Sequence, residues 1–291
     1  PQRAATPVEP HNGLHLSMPA YVGGTSDTLS IKIVTVYENN AARFGLPAIQ
    51  GLLLLHDARS GQALAMMDAE HLTAIRTGAA SGVATKYLAR SNAETVTLFG
   101  AGAQAGAQLE AVCAVRPIRR AIVLTRTGRK DDAFCARMHA SLGLEMTASR
   151  DVRSAVQAAD VVCTATNSQS PLFDGNWLQP GTHINAVGAY THTMRELDAA
   201  TIQRSRVFVD HHTAALTEAG DILLAIEDGQ IEYGHVAGEL GELISGAIPG
   251  RSTLEELTVF KSVGLAVQDA MTVAHVYTQA VKRGVGQEIN L

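Results

Sequence analysis

The stretch that decides the fold is TVTLFGAGAQA, residues 95–105. Its first five residues, Thr95–Phe99, predict a short buried strand. The glycine turn that follows opens a helix that we predict to end near Val115, and a second strand is predicted at Ala121–Thr125. Strand, helix and strand at this spacing are typical of an α/β protein with a doubly wound parallel sheet, the Rossmann class.

The turn itself fits the pattern G-x-G-x-x-A over residues 100–105. In this pattern Gly100 permits the tight turn, Gly102 lets a pyrophosphate approach the backbone, and Ala105 lets the helix lie close to the strand. The phosphates would meet the free N–H groups and the positive end of the helix dipole. The turn therefore predicts a dinucleotide site, with an ordinary ligand-free turn as the alternative. The predicted contacts are Gly100, Gly102, Ala103 and Gln104.

The segment after the second strand indicates which dinucleotide binds. NAD sites usually carry an acid there that accepts a hydrogen bond from the ribose 2′-hydroxyl. Here the strand ends Leu124-Thr125-Arg126-Thr127, and the first acid is Asp131. Arg126 can pair with a 2′-phosphate and stack on adenine, and Arg129 and both threonines add donors. We therefore predict NADP(H) in preference to NAD(H), with a solvated basic loop as the alternative.

The rest of the chain divides around this unit. Strands are predicted in the N-terminal part at Leu14–Met18, Leu29–Tyr37 and Ile49–His56. Helices are predicted from an Asp68 cap to Leu88 and over Asp131–Leu142, and further strands over 161–166, 182–187 and 207–209. Residues 254–281 are predicted to be largely helical and to pack back on the N-terminal part. We expect a discontinuous α+β domain of residues 1–90 with 265–291, and a Rossmann domain of residues 91–264.

Composition excludes several classes of protein. The 291 residues are 46% hydrophobic, which suffices for two cores, and the formal charge of −5 comes without a basic stripe that nucleic acid would require. The longest apolar runs are too short to span a bilayer, and no signal-peptide pattern opens the chain. His211-His212 lacks a third ligand, so we predict no metal. The cysteines, which fit neither a disulfide framework nor a zinc pattern and favour a cytoplasmic setting, are Cys113, Cys135 and Cys163.

Four segments in a fixed order carry a resemblance to a known family. They are AIRTGAAS at 74–81, the glycine turn, NAVG at 185–188 and FKSVG at 260–264. Over essentially its full length the chain resembles the ornithine cyclodeaminase/mu-crystallin family. The resemblance implies that the N-terminal domain, completed by the C-terminal helices, forms a homodimer and holds a small imino or amino acid, while the Rossmann domain supplies the cofactor.

The resemblance also assigns site residues. Three basic residues match the family's substrate positions: Arg3, Lys32 and Arg76. Met18 and His192 are two further predicted substrate-binding residues; His192 lies in the loop beside the presumed active site, with a hydrogen-bonded loop histidine as the alternative. An arginine is a permanently charged, bidentate clamp for the carboxylate of an α-imino acid, and fixing that carboxylate orients the C=N bond. Lys32, within the apolar strand, can titrate or hydrogen-bond the substrate, so Lys32 and Arg76 are the candidate catalytic residues. The alternatives are a solvent-facing lysine and a surface arginine on the helix that pairs with Glu70 or another acid.

Other cofactor contacts are predicted at the ends of later strands and in the family segments. They are Thr77, Thr166, Asn167, Ser168, Val187, Gly188 and Val263. For residues 166–168 a simple turn is the alternative, and for Val263 a core position.

One departure from the family pattern selects among its activities. Cyclodeaminases and the archaeal alanine dehydrogenase carry an Asp shortly after the N-A-V/I-G strand, where this chain has Tyr190, which supplies no carboxylate base near neutral pH. Related reductases also lack the Asp, and their loop resembles T-P-D-M-R-E-L; here His192 and Thr193 replace the Pro and Asp. Reduction of a preformed imine needs only a hydride and correct geometry.

The leading hypothesis is therefore NADPH-dependent reduction of Δ1-pyrroline-2-carboxylate or Δ1-piperideine-2-carboxylate to L-proline or L-pipecolate. One alternative is an ornithine or lysine cyclodeaminase or an alanine-type dehydrogenase. Another is a non-catalytic NADP(H)-binding module that holds a small hydrophobic ligand or a protein partner. The presence of Lys32 and Arg76 weighs against that last interpretation, because a binder of apolar ligands needs neither.

Overall fold

The structure, a computed structural model, describes residues 3–289. The chain divides into two compact units. Unit 1 contains the residues up to Arg76 together with those from Leu265 onward, and unit 2 is Thr77–Gly264. The boundary near residue 76 lies inside a helix that the sequence assigned wholly to the N-terminal domain.

Unit 1 is built on an antiparallel sheet whose strands neighbour one another in chain order. The strands are β1 (Ala4–Val8), β2 (Gly13–Val22), β3 (Thr28–Val36), β4 (Ile49–Asp57) and β5 (Ala63–Asp68). The helices are α1 (Asn40–Arg43), the first part of α2 (Ala69–Leu88) and α10 (Ala266–Arg283). As predicted, Asp68 begins α2, because its Oδ1 accepts hydrogen bonds from the N–H groups of Glu70 and His71.

Side chains alternate across this sheet, and one face is covered by α10. Leu53, Leu55 and Leu72 pack with Val273 of α10 to form a buried cluster. The prediction that the C-terminal helix packs back on the N-terminal strands is confirmed.

Unit 2 is built on an eight-stranded sheet in which all neighbouring strands are parallel. The strands are β6 (Thr95–Phe99), β7 (Arg120–Leu124), β8 (Glu145–Ala148), β9 (Val161–Thr164), β10 (His183–Ala186), β11 (Ser205–Val209), β12 (Val236–Glu239) and β13 (Leu257–Lys261). The helices are α3 (Ala103–Val115), α4 (Asp131–Leu142), α5 (Val152–Gln157), α6 (Ala199–Arg204), α7 (His212–Glu218), α8 (Gly220–Glu227) and α9 (Leu240–Ser245).

The strand order of unit 2 is β12-β11-β13-β10-β9-β6-β7-β8. From β6 the chain first adds β7 and β8 on one side of β6. It then returns and adds β9 and β10 on the opposite side of β6. The carboxyl ends of the strands meet at one edge, and the reversal of winding beside β6 is the switch point where such sheets bind ligands. The predicted fold class is confirmed.

One predicted element is wrong in its first part. The helix predicted within residues 254–281 occupies only the second part of that segment, because Leu257–Lys261 is the fully buried strand β13, inserted between β10 and β11. The run LTVFK is rich in β-branched and aromatic residues, which a strand buried on both faces accommodates. The C-terminal helix begins only at Ala266.

Candidate functional site

Two basic side chains meet one acid in the interior of unit 1. Lys32 Nζ lies 2.8 Å from Asp269 Oδ2, and Arg76 Nε lies 2.9 Å from Asp269 Oδ1. All three side chains are at most 7% exposed. A solvent-facing Lys32 and a surface position for Arg76 are therefore wrong, although Arg76 does pair with an acid, Asp269, in the interior. We call Lys32, Arg76 and Asp269 the cation cluster.

Three elements bring the cation cluster together: β3 carries Lys32, α2 carries Arg76 and the first turn of α10 carries Asp269. Next to Asp269, the Oε1 atom of Gln268 accepts a hydrogen bond from Arg76 Nη1 at 2.7 Å. The same Oε1 atom accepts a bond from the N–H of Leu265 at 3.3 Å, so the beginning of α10 fixes the guanidinium.

The electrostatics of the cation cluster are unbalanced. Burial lowers the pKa of Lys32 to about 8, the charges of Arg76 and, more weakly, Arg3 lower it too, and Asp269 opposes them. Two cations share one anion in a low-dielectric interior, so a further anion would be stabilised beside them. A carboxylate has the charge and the planar geometry that a guanidinium recognises.

The other predicted substrate residues lie in different surroundings. Met18 is buried on β2, directly opposite Lys32 in the strand register. Arg3 stands at the start of the described residues, and its charge acts on Lys32. His192 lies in unit 2, where its Nε2 is 2.7 Å from Glu227 Oε1 and its side chain is 51% exposed.

The glycine turn of unit 2 has the form that a dinucleotide needs. Gly100 has a φ of +110°, and a Cβ there would lie 2.6 Å from the Ala165 carbonyl oxygen, so only glycine fits. Gly102 is the N-cap of α3 and has no side chain to cap the N–H groups of Ala103 and Gln104. A Cβ at Gly102 would enter open space, which leaves room for a pyrophosphate against the backbone.

In the segment after β7, the side chain of Asp131 is buried in the interior of unit 2. Asp131 is 1% exposed, and its Oδ1 accepts a hydrogen bond from Thr125 Oγ1 at 2.5 Å. Its Oδ2 lies 3.5 Å from Nη2 of Arg150, whose Nη1 also donates to the Thr125 carbonyl at 2.5 Å. The side chains left exposed in this loop include those of Arg126, Thr127 and Arg129.

The segment after β9 is held by a buried acid. The N–H and the Oγ1 hydroxyl of Thr166 donate to Glu196 Oε1 at 2.7 and 2.8 Å. The N–H of Ser168 donates to Thr166 Oγ1 at 3.2 Å, while Asn167 is exposed. The turn is thus fixed by side chains of unit 2.

The segments after β10 and β13 are fixed in the same way. The N–H of Gly188 donates to Glu196 Oε2 at 2.8 Å, one residue after Val187, which extends the pairing with β9. The N–H of Val263 donates to Asp210 Oδ2 at 2.9 Å. Thr77, at the start of unit 2, lies in α2 beside a glycine that packs closely on α3.

The comparisons with known proteins identify the family of the chain. The model of the ornithine cyclodeaminase/mu-crystallin family matches residues 1–284. The chain belongs to this family.

Two relatives in the family are reductases. The Δ1-pyrroline-2-carboxylate reductase of Bacillus cereus is 40% identical over 290 residues, which cover 99% of this chain and 88% of the relative. The ketimine reductase mu-crystallin of Rattus norvegicus is 37% identical over 277 residues, 95% of this chain and 84% of the relative. The predicted family and the predicted class, an oxidoreductase, are both confirmed.

Two solved structures in the family share the fold. The Δ1-pyrroline-2-carboxylate reductase of Thermococcus litoralis, in complex with NADH and L-proline, is 41% identical with a TM-score of 0.96, covering 99% of this chain and 89% of that chain. An archaeal alanine dehydrogenase dimer with bound NAD is 33% identical with a TM-score of 0.92, covering 100% and 88%.

The sequence analysis did not identify two buried acids, Asp269 in unit 1 and Glu196 in unit 2, that hold the predicted site residues in place. Asp269 is absent from the predicted residues, although a signal exists. It lies on a helix face whose other buried members are apolar, and a lone acid in such a stripe needs a partner. The buried positions of α10 are Ala266, Asp269, Ala270 and Val273. In the sequence analysis Glu196 appears only as a residue of the loop that is compared with T-P-D-M-R-E-L, with no role of its own.

We also searched the structure for groups of metal ligands and for helices that could span a membrane. Residues 3–289 contain no group of three or more His, Cys, Asp or Glu side chains that could hold a metal ion. His211 instead caps α7, with its Nδ1 accepting a hydrogen bond from the N–H of Ala214 at 3.4 Å. In the same part of the chain, none of the helices combines the length and apolar character that crossing a membrane requires.

Proposed function

We propose that the chain catalyses the NADPH-dependent reduction of cyclic ketimine carboxylates. The proposed substrates are Δ1-pyrroline-2-carboxylate and Δ1-piperideine-2-carboxylate, and the products are L-proline and L-pipecolate. The observation that carries the proposal is the buried cation cluster, which holds one positive charge in excess. The similarity to the two named reductases supports the same reaction class.

Unit 1 is the proposed substrate-binding unit. Arg76 would form a bidentate bond to the substrate carboxylate, with its position held by Gln268 and Asp269. Lys32 would contribute a second positive charge and donate a hydrogen bond, and Met18 would pack against the apolar ring. Because one carboxylate contacts two fixed cations, the ring and its C=N bond are held in one orientation.

Unit 2 is the proposed cofactor-binding unit. The turn at Gly100 and Gly102 would hold the pyrophosphate, and the segments around Thr166, Gly188 and Val263 would hold the nicotinamide half. When bound, the cofactor supplies the hydride that the imine carbon accepts. The contribution of the chain is to orient both reactants and to neutralise the substrate carboxylate.

The test is turnover by the purified chain. NADPH is mixed with each imine in turn, and the loss of NADPH absorbance is followed; we expect turnover with at least one of them. Parallel assays offer ornithine, lysine and alanine with NADP⁺ or NAD⁺. Without imine turnover, ammonia release from ornithine or lysine with no net reduction of the nucleotide would favour the cyclodeaminase alternative. Ammonia release from alanine with net reduction of the nucleotide would favour the dehydrogenase alternative, and binding without any turnover would favour the non-catalytic one.

A preference for NADPH over NADH is the second part of the proposal. Support comes from the loop after β7, where Arg126 and Arg129 are exposed and Asp131 is turned inward. Calorimetry with both nucleotides tests it, with Arg126→Leu as the variant and Arg119→Leu, an exposed arginine before β7, as the control. We expect the preference in the wild type and in the control, and its loss in Arg126→Leu; equal affinities in the wild type would refute it.

A homodimer formed through unit 1 is the third part. Pro19, Ile31, Leu54 and Met66 are register partners across β2, β3, β4 and β5, on the face opposite to Lys32. Met66 is 58% exposed, so this apolar row offers a surface for a second copy. The archaeal alanine dehydrogenase that shares the fold is a dimer, which supports the proposal.

Sedimentation of the purified chain tests the dimer. We expect the mass of a dimer for the wild type and a shift towards the monomer in Met66→Glu. Tyr233→Glu changes an apolar side chain of similar exposure in unit 2 and serves as the control. A monomeric wild type would overturn this part alone.

A reducing, cytoplasmic setting is the last part of the proposal. Its support is that Cys113, Cys135 and Cys163 are free thiols and that burial raises the pKa of Cys163 to about 12. Fluorescence imaging of the tagged full-length protein in its source cell tests this assignment.

A further inference from the structure

The carboxylate of Glu196 joins the ends of two neighbouring strands in unit 2. Its Oε1 accepts two hydrogen bonds from Thr166, and its Oε2 accepts one from Thr164 Oγ1 and one from the N–H of Gly188, both at 2.8 Å. Glu196 is completely buried. Two oxygens therefore accept four bonds from protein donors, which satisfies a carboxylate fully. We call Glu196, Thr164, Thr166 and Gly188 the strand-end clamp.

A second layer of charge fixes the backbone of Glu196. The N–H groups of Glu196 and Leu197 donate to Asp221 Oδ1 at 2.6 and 2.9 Å. Asp221 Oδ2 lies 2.8 Å from Nζ of Lys261, and neither side chain is exposed. Burial raises the pKa of Glu196, and the positive charge of Lys261 opposes that rise. The clamp is thus anchored through Asp221 to the end of β13.

The clamp leaves little space at the strand ends. A Cβ at Gly188 would overlap the Thr166 carbonyl oxygen and the Glu196 carboxylate. The segment after β10 therefore lies directly against the segment after β9, and the carboxylate sets how the two segments meet.

The place of the clamp in the sheet indicates which part of the ligand it serves. The glycine turn follows β6, and the loop proposed for the 2′-phosphate follows β7, on one side of the switch point. The clamp follows β9 and β10, on the other side. A dinucleotide lying across the switch point places its adenosine half towards β7 and its nicotinamide half towards β9 and β10.

We propose that Glu196 is a positioning residue for the nicotinamide half of the cofactor. It acts through Thr166 and Gly188, whose backbone it holds at one spacing, without contacting the cofactor itself. The inference rests on the proposed function in that it takes unit 2 as the dinucleotide-binding unit.

The test compares two ligands on the full chain by calorimetry. One is NADPH, and the other is 2′-phospho-ADP-ribose, which keeps the phosphates and lacks the nicotinamide. Glu196→Gln replaces one acceptor oxygen by an amide donor that faces other donors. We expect it to weaken NADPH binding about tenfold and to change binding of the fragment by less than about twofold, because only the nicotinamide half loses its support.

Thr164→Val tests the clamp without changing the acid. It removes one hydroxyl donor from a fully buried position with little change in volume, and we expect the same selective loss for NADPH, about threefold. Thr97→Val is the matched control, because Thr97 is equally buried on β6 and its hydroxyl donates to the Ala155 carbonyl at 2.7 Å. We expect no selective effect there.

The outcomes separate this inference from the proposed function. If the wild type binds neither ligand, the proposed function fails and this inference fails with it. If the wild type binds both while Glu196→Gln and Thr164→Val weaken both equally, or weaken neither, the positioning role alone is overturned. A loss confined to NADPH in both variants supports it.

Discussion

Each unit buries one lysine on a strand opposite one aspartate on a helix, and the two pairs differ in what surrounds them. The Lys32–Asp269 pair of unit 1 and the Lys261–Asp221 pair of unit 2 both have an N–O distance of 2.8 Å. In unit 1 the neighbouring charge is another cation, Arg76. In unit 2 it is an anion, Glu196.

This difference separates the proposed substrate site of unit 1 from a scaffold in unit 2. The Glu196 carboxylate has four protein donors, so its charge needs nothing from outside the fold. The cation cluster has two cations and one acid, and burial already makes the charged form of Lys32 costly. A buried site whose excess charge lacks protein partners gains from a ligand of opposite sign, whereas a carboxylate that is satisfied by four protein donors holds those donors in place.

The largest effect is expected from removing each lysine in turn. Lys261→Met leaves Asp221 buried without its cation, and we expect the free energy of unfolding to fall by about 3–5 kcal/mol. Lys32→Met leaves Asp269 paired with Arg76, so we expect a loss of only about 1 kcal/mol. Urea denaturation followed by circular dichroism measures both.

Buried leucines converted to methionine serve as controls for this pair. Leu53→Met in unit 1 and Leu98→Met in unit 2 place the same side chain in the same sheets without touching a charge, and should cost less than about 1.5 kcal/mol each. Equal losses for Lys32→Met and Lys261→Met would remove the distinction between the two pairs.

The fold of unit 2 could be predicted where it depends on contacts between residues that are close in sequence. Thr95–Phe99 and the turn after it form a strand and a helix start that contact each other directly along the chain. β13 could not be predicted in this way, because Leu257–Lys261 is a short apolar run whose periodicity is compatible with either a strand or a buried helix. Its insertion between β10 and β11 is decided by pairing with strands distant in sequence.

The candidate site divides in the same manner. Lys32 and Arg76 could be predicted because each is a basic residue in a recognisable segment. Asp269 joins them only after the chain has passed through all of unit 2, and Glu196 meets Thr166 across 30 positions. Residues that are so distant in sequence leave no local pattern that reveals their contact. The one available signal is a charged residue at a position expected to be buried, with no oppositely charged residue near it in sequence.

A second prediction concerns the shape of the guanidinium in unit 1. If Arg76 clamps a carboxylate, Arg76→Ala should raise the KM for the imine about 100-fold, and Arg76→Lys, which keeps the charge and loses the fork, about tenfold. Steady-state kinetics measures both, and calorimetry should find NADPH affinity unchanged within about twofold. A parallel loss of NADPH affinity would mean that Arg76 supports the fold rather than the substrate.

The smallest effect is a dependence of ligand affinity on pH. Because the pKa of Lys32 is lowered to about 8, its ammonium loses its proton above that pH in the free protein. A bound carboxylate favours the charged amine, so binding takes up a proton in this range. The affinity for L-proline should be constant below about pH 7.5 and then fall by at most about tenfold per pH unit.

Lys32→Met assigns that titration to the cation cluster. Without the amine, the cation cluster lacks the group whose pKa lies at about 8, so the profile should become flat. His183 cannot replace Lys32 in this range, because burial lowers its pKa to about 3. A decline with the same midpoint in Lys32→Met would place the titrating group elsewhere, and the cation cluster would then bind its ligand through Arg76 alone.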